Sequence, residues 1–179
     1  MEPLRIVLIR HGRVIIDWDK HPDSMTFDAQ NIYYDKAPIA PLPTINIPIS
    51  KVYISGYPRS AATAAFLVGP KTVEKTVLIN EVPIRAFCRT AGHLPFWFWN
   101  TMATVQWLFN SPRALEPRRT TLSRVEAFLN LLVARHEDCI VVGHGIYFYE
   151  LMMMMRRRGF KGRLHRYMAN GEALEFRLD

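Results

Sequence analysis

Leu4 to Ile9 is an apolar, β-branched run broken only by Arg5, of strand rather than helix length, and it stops abruptly at Arg10-His11-Gly12. Lys51 to Ser55 repeats the pattern. It is followed by Gly56-Tyr57-Pro58 and then by the alanine-rich stretch Arg59 to Leu67, which reads as a strand, a turn and a helix. Thr76 to Ile79 predicts a third, short strand ending at Asn80-Glu81. From Thr121, a candidate cap, Val125, Phe128, Leu129, Leu132 and Val133 recur at helical spacing and mark one apolar helix face. That helix leads through His136-Glu137-Asp138 into Cys139 to Val142, a fourth buried strand, which ends at Gly143-His144-Gly145. Ile146 to Arg158 predicts a helix, and Ala173 to Leu178 a closing edge strand after the Asn170-Gly171 turn.

Strands alternating with helices predict an α/β fold, a three-layer α/β/α sandwich with a mostly parallel central sheet. In such sheets ligands bind beyond the carboxyl ends of the strands. Arg10-His11, Ser55 to Arg59, Glu81 and His144 all follow on predicted strands, so one crevice could collect them. Pro38, Pro41, Pro43 and Pro48 mark an extended surface connection.

Composition narrows the reading. With 179 residues and 49% hydrophobic content, the chain suits a single domain over residues 1–179, with one sizeable core. Cys88 and Cys139 lack metal-site or disulfide-framework spacing and read as reduced thiols, so no metal or other cofactor is expected. No stretch reaches membrane-span length, and the first apolar run is too short for a signal peptide, so the expected location is cytoplasmic. The net charge of +7 favours anionic partners. Its densest stretch, Arg156-Arg157-Arg158 after the Met152 to Met155 run, reads as a helix end where cations suit the helix dipole. Nothing matches a nucleic-acid module, so nucleic acid is not the expected partner, and the charge sum alone does not separate lipid headgroups from a small phosphorylated substrate. The sequence does not speak to oligomeric state. His93 to Phe109 is rich in aromatics. It reads as a helix packed in the core or, with residues 82–118 around it, as a cap that selects a bulky apolar substrate or touches a membrane surface.

Four elements in order carry a family resemblance: Arg10-His11-Gly12, Ser55-x-x-x-Arg59-x-x-x-Thr63-Ala64, Glu81 and Gly143-His144-Gly145. Together they resemble the histidine phosphatase, or phosphoglycerate-mutase-like, superfamily. The resemblance implies the fold above and phosphomonoester hydrolysis through a phosphohistidine on His11. A neutral imidazole suits that role, because its bare nitrogen can attack phosphorus near neutral pH. The resemblance also implies a carbonyl near Gly12 as acceptor for the other ring nitrogen. Arg10 and Arg59 would hold the phosphoryl oxygens with their planar forks. His144, if protonated, would add a third donor, and Glu81 would serve as proton donor and then as base.

The chain also departs from the pattern. Arg13, Val14 and Asp17 stand where the family often has Glu or Gln, Ser or Thr, and Asn. Val82-Pro83-Ile84-Arg85 replaces its glycine- and tryptophan-rich segment. Arg13 and Arg85 read as surface charges, with contact to a substrate's remote part as the alternative. A phosphoglycerate-type mutase and a catalytically impaired phosphate-binding protein stay open as rival readings.

Overall fold

A computed structural model of the chain describes residues 2–179. Its elements run β1 (Leu4–Arg10), α1 (Ser24–Lys36), β2 (Lys51–Ile54), α2 (Pro58–Ala64), β3 (Thr72–Lys75), a 3-10 turn (Val77–Ile79), α3 (Phe96–Leu108), α4 (Arg118–Arg135), β4 (Cys139–Gly143), α5 (Gly145–Arg157), β5 (Lys161–Gly162) and β6 (Ala173–Leu178). The six strands form one sheet in the order β3-β2-β4-β1-β6-β5. β1 to β4 are mutually parallel where they pair, and β6 closes antiparallel on β1.

Continuous apolar strands are what a sheet covered on both faces requires. Leu4, Ile6, Leu8, Cys139 and Val141 point into one core with the apolar faces of α4 and α5. Val7, Ile9, Ile140 and Val142 point into the other, against Leu67 and the Ile45 to Ile49 connection. Helices on both sides of a largely parallel sheet make the α/β/α sandwich.

A third, separate cluster stands apart from the sheet: Phe27 of α1, Trp99 of α3 and Ala86, with Phe87, Leu94 and Phe96 packed against them. The aromatic segment is thus divided by its two faces. Trp99, Ala103 and Trp107 are buried, whereas Trp97 and Phe109 are exposed. No described helix is long and apolar enough to cross a membrane.

Two local expectations give way. Thr76 to Ile79 is not a strand: pairing of β3 with β2 ends at Lys75, and the Thr76 hydroxyl accepts from the Leu78 amide at 3.3 Å, turning the chain into a 3-10 turn. Thr121 does not cap α4, which begins at Arg118 after Pro117. Its buried hydroxyl instead accepts from Trp107 Nε1 at 3.0 Å and donates to Glu116, tying α3 to α4. Helix α1 was not expected at all. Asp23 caps it by accepting from the Thr26 amide at 2.8 Å.

Candidate active site

Parallel pairing of β1 with β4 sets the site, because it places Arg10 opposite Gly143 at the carboxyl ends of both strands. The next residues, His11 and His144, therefore leave the sheet side by side. The His11 amide donates to the Gly143 carbonyl at 3.0 Å, and the two imidazole centroids lie 5.2 Å apart.

His11 is oriented by its neighbour. Its Nδ1 lies 2.8 Å from the Gly12 carbonyl oxygen, which can only accept, so Nδ1 carries the proton and Nε2 keeps its lone pair. The Gly12 amide in turn donates to Thr63 Oγ1 at 2.9 Å, and Asn170 Nδ2 donates to the His11 carbonyl at 2.9 Å. Burial lowers the His11 pKa from 6.5 to about 4; the Gly12 hydrogen bond works against this, and the charges of Arg59 and Arg10 add to it. At neutral pH the ring is uncharged.

Arg59, in the first turn of α2, is fully buried and held on every side. Its Nη1 pairs with Asp35 at 2.8 Å, and the guanidinium carbon lies 4.9 Å from the Tyr34 ring centroid and 4.4 Å from that of Tyr57. Its Nε donates to His144 Nδ1 at 3.2 Å. His144 Nε2 must then be the protonated nitrogen, donating to Ser55 Oγ at 2.7 Å. Burial, and after it the charge of Arg59, hold the His144 pKa well below its ordinary value. His144 is therefore a neutral ring here, so the condition on which its third-donor role depended is not met in this state. Its nearest donor, Arg59, makes Nδ1 an acceptor.

Arg10 lies partly buried, its guanidinium carbon 4.7 Å from the Tyr167 ring centroid and its Nη1 donating to the Met168 carbonyl. Its Nε is buried without a protein partner. A buried donor of this kind is costly unless an acceptor arrives, and an anionic oxygen is the acceptor that suits a guanidinium. Gly145 keeps that side of Arg10 open, since a Cβ there would stand 3.4 Å from Arg10 Nε.

Glu81 follows the 3-10 turn rather than a strand. Its carboxylate sits at the start of α5, where His144 provides no side-chain cap: Oε1 accepts from Val82 at 3.0 Å and Tyr147 at 3.1 Å, and Oε2 from Ile146 at 3.4 Å. Burial raises its pKa, against the pull of the Val82 and Tyr147 amides and of Arg59. Glu81 is therefore not a solvated chain end.

Arg10, Arg59 and Glu81 line one cleft of about 1090 Å³, whose outer wall includes Trp18, Phe96 and Trp107. The five residues picked out by the sequence, Arg10, His11, Arg59, Glu81 and His144, are thus brought together around one end of the sheet. Sequence reasoning missed Tyr34, Asp35 and Asn170. Asp35 carried no sequence signal, whereas the Asn170-Gly171 turn was visible but read only as a turn. Among the described residues, no group of three or more His, Cys, Asp or Glu side chains could hold a metal ion.

No protein-family model matches the chain, and no curated protein matches it by sequence. Solved structures do match. A mycobacterial glucosyl-3-phosphoglycerate phosphatase aligns over 97% of this chain and 90% of its own, at 15% identity and a TM-score of 0.59. The α-ribazole phosphatase of Shigella flexneri aligns over 96% and 89%, at 17% identity and a TM-score of 0.54. A phosphoserine phosphatase of Entamoeba histolytica, in complex with 3-phosphoglyceric acid, aligns over 96% and 89%, at 15% identity and a TM-score of 0.53. Matched along nearly its whole length to these structures, the chain shares their fold, a phosphoglycerate-mutase-like α/β/α sandwich.

Proposed function

We propose that the chain is a phosphatase that hydrolyses a phosphomonoester through a phosphohistidine on His11, without need of a metal. The observation that carries this reading is the state of His11. It is buried and uncharged, its Nδ1 is tied to Gly12, and Nε2 is left as the nucleophilic atom beside two arginines.

In the first step the Nε2 lone pair forms the N–P bond while the bond from phosphorus to the ester oxygen breaks. Negative charge spreads over the three equatorial oxygens, and positioned guanidinium groups lower the barrier by meeting it. Arg10 offers its unpartnered Nε, and Arg59 is held in place by Asp35 and the two tyrosine rings. The departing oxygen takes a proton from Glu81, whose raised pKa keeps the carboxyl protonated to higher pH than usual. Oε2 is the better placed proton carrier, because Oε1 already accepts two amides. In the second step the Glu81 carboxylate removes a proton from water, the hydroxide oxygen bonds to phosphorus, and the N–P bond breaks to restore neutral His11.

The phosphate dianion would also change His144. Its pKa is low partly because of Arg59, so an anion that offsets that charge raises it and lets the ring act as a donor. Residues 82–118, which include α3 and pack through Trp99 on Phe27 of α1, form the cap of a single domain over this site. Two unpaired cysteines suit a reducing, cytoplasmic setting.

The similar structures described above are those of phosphatases, which favours hydrolysis over mutase chemistry. The test is phosphate release from a panel of phosphomonoesters by wild type and His11→Ala. Release by wild type alone supports the reading. Release that survives His11→Ala overturns the nucleophile, and isomer formation in place of phosphate release points to a mutase.

A further inference from the structure

The cleft carries more positive charge than phosphoryl transfer uses. Besides Arg10 and Arg59, it is lined by Arg13, Arg85, Arg89 and Arg166. A second pocket of about 510 Å³ adjoins it through the shared Arg85 and Arg89, and Arg113 forms part of its wall. Only Arg89 has an acidic partner there, Asp28 at 3.0 Å. Arg85 spends its Nε on the Arg113 backbone carbonyl at 2.6 Å, which ties its side chain to the Arg113 main chain and leaves both Nη groups of Arg85 free. Among the described residues, neither Arg85 nor Arg113 forms an ion pair. Asp28, Asp35 and Glu81 also line the cleft, so its six arginines stand against three carboxylates; clustered guanidinium groups repel one another, and a concave surface with an excess of one sign concentrates ions of the other.

Apolar side chains also line the cleft. Ile32, Leu108 and Leu115 line it while 61%, 44% and 53% exposed, beside the rings of Trp18 and Phe96, which lie 4.4 Å apart. A cleft of about 1090 Å³ lies just above the range that encloses drug-sized ligands, roughly 300–1,000 Å³. It far exceeds what a phosphorylated three-carbon acid would fill.

We infer that the substrate of this site is a large phosphomonoester with an apolar body and a second anionic group, a carboxylate or phosphate, held by Arg85 and Arg113 in the adjoining pocket. The inference rests on the phosphatase reading for the first phosphate only. Planar forks bind either oxyanion, and the exposed apolar side chains lining the cleft suit an apolar body.

The test uses benzylphosphonates, which are not hydrolysed, carrying para-alkyl chains of increasing length that end in a carboxylate, a phosphonate or a neutral methyl ester. Calorimetry gives the affinity ratio of each anionic ligand to its ester. The expected result is a ratio of about 10 or more at one chain length, equivalent to ~1.4 kcal/mol. That ratio should fall towards one in Arg85→Gln/Arg113→Gln. Arg113→Gln alone, which removes no side-chain hydrogen bond seen here, should lower it part of the way and serves if the double variant does not fold. A ratio near one at every length in wild type, or one unchanged by the substitutions, overturns the proposal. The carboxylate and phosphonate arms identify the anion. Phosphate release from the matching aryl phosphates is measured separately, so discrimination without turnover would sink the phosphatase reading and leave this pocket standing. Turnover without discrimination would do the reverse.

Discussion

Burial of an uncharged His11 has a consequence for stability that can be measured without any substrate. In the unfolded chain the imidazole takes up a proton near pH 6.5, whereas in the folded protein it does so only near about 4. Between those values the unfolded state binds more protons, so stability is fully present above pH 6.5 and is lost as pH falls towards 4. At about 1.4 kcal/mol per pH unit, the whole gap amounts to ~3 kcal/mol, of which about 2.5 kcal/mol is already lost at pH 4.5. His144 moves in the same direction, so the wild type alone does not isolate His11. His11→Asn does: it removes the titrating group and keeps a donor for the Gly12 carbonyl. Urea unfolding at pH 7.5 and 4.5 should show wild type losing roughly 2–3 kcal/mol more than His11→Asn. A difference that stays constant within about 0.5 kcal/mol across this range would mean that His11 titrates normally, and the argument for an uncharged nucleophile would fail.

Other substitutions separate the remaining roles. Glu81→Gln should lower kcat on an alkyl phosphate by about 10²-fold or more and on p-nitrophenyl phosphate far less, because only the poor leaving group needs the proton. Equal losses on both would remove Glu81 from that role. The raised pKa of Glu81 also places the basic limb of the wild-type profile on alkyl phosphates above pH 4.5, and that limb should vanish in the variant. Arg59→Lys puts a point charge where a fork is held between Tyr34 and Tyr57, and kcat/KM should fall by roughly 10²–10³-fold. A loss below tenfold would argue that Arg59 does not meet the phosphoryl oxygens. Gly143→Ala would bring a Cβ within 2.8 Å of the Phe148 ring at the strand end that aligns both histidines. Overpacking of this kind costs about 1–3 kcal/mol, so Tm should drop, and Phe148→Leu should restore part of it. An unchanged Tm would contradict the close packing.

Much of the site was legible because its residues sit where strongly apolar strands stop. The runs that became β1, β2 and β4 each end within a residue of their expected boundary, and with them Arg10, His11, Ser55 and His144 were placed. The closing strand β6 spans Ala173–Leu178, as read. What escaped lacked periodicity. Only Ser24 and Phe27 of α1 are buried, so its thirteen residues show no apolar stripe, and Tyr34 and Asp35 in its last turn carry no local signal of their contact with Arg59. β3 was hidden because an edge strand with an exposed face tolerates the polar and charged residues Thr72, Glu74 and Lys75. The neighbouring Thr76 to Ile79 looked more like a strand because it was more apolar. The state of His144 could not be read from sequence at all: it depends on which atom of Arg59 faces which ring nitrogen, a fact of packing between α2 and β4.

The phosphohistidine is the centre of the account, and trapping it tests that centre most directly. Wild type mixed with a labelled phosphomonoester and quenched in alkali should yield a phosphoenzyme that is stable to base, labile to acid and located on His11 by peptide mass spectrometry. Turnover with no trapped intermediate at any quench time, or label on any other residue, would contradict it.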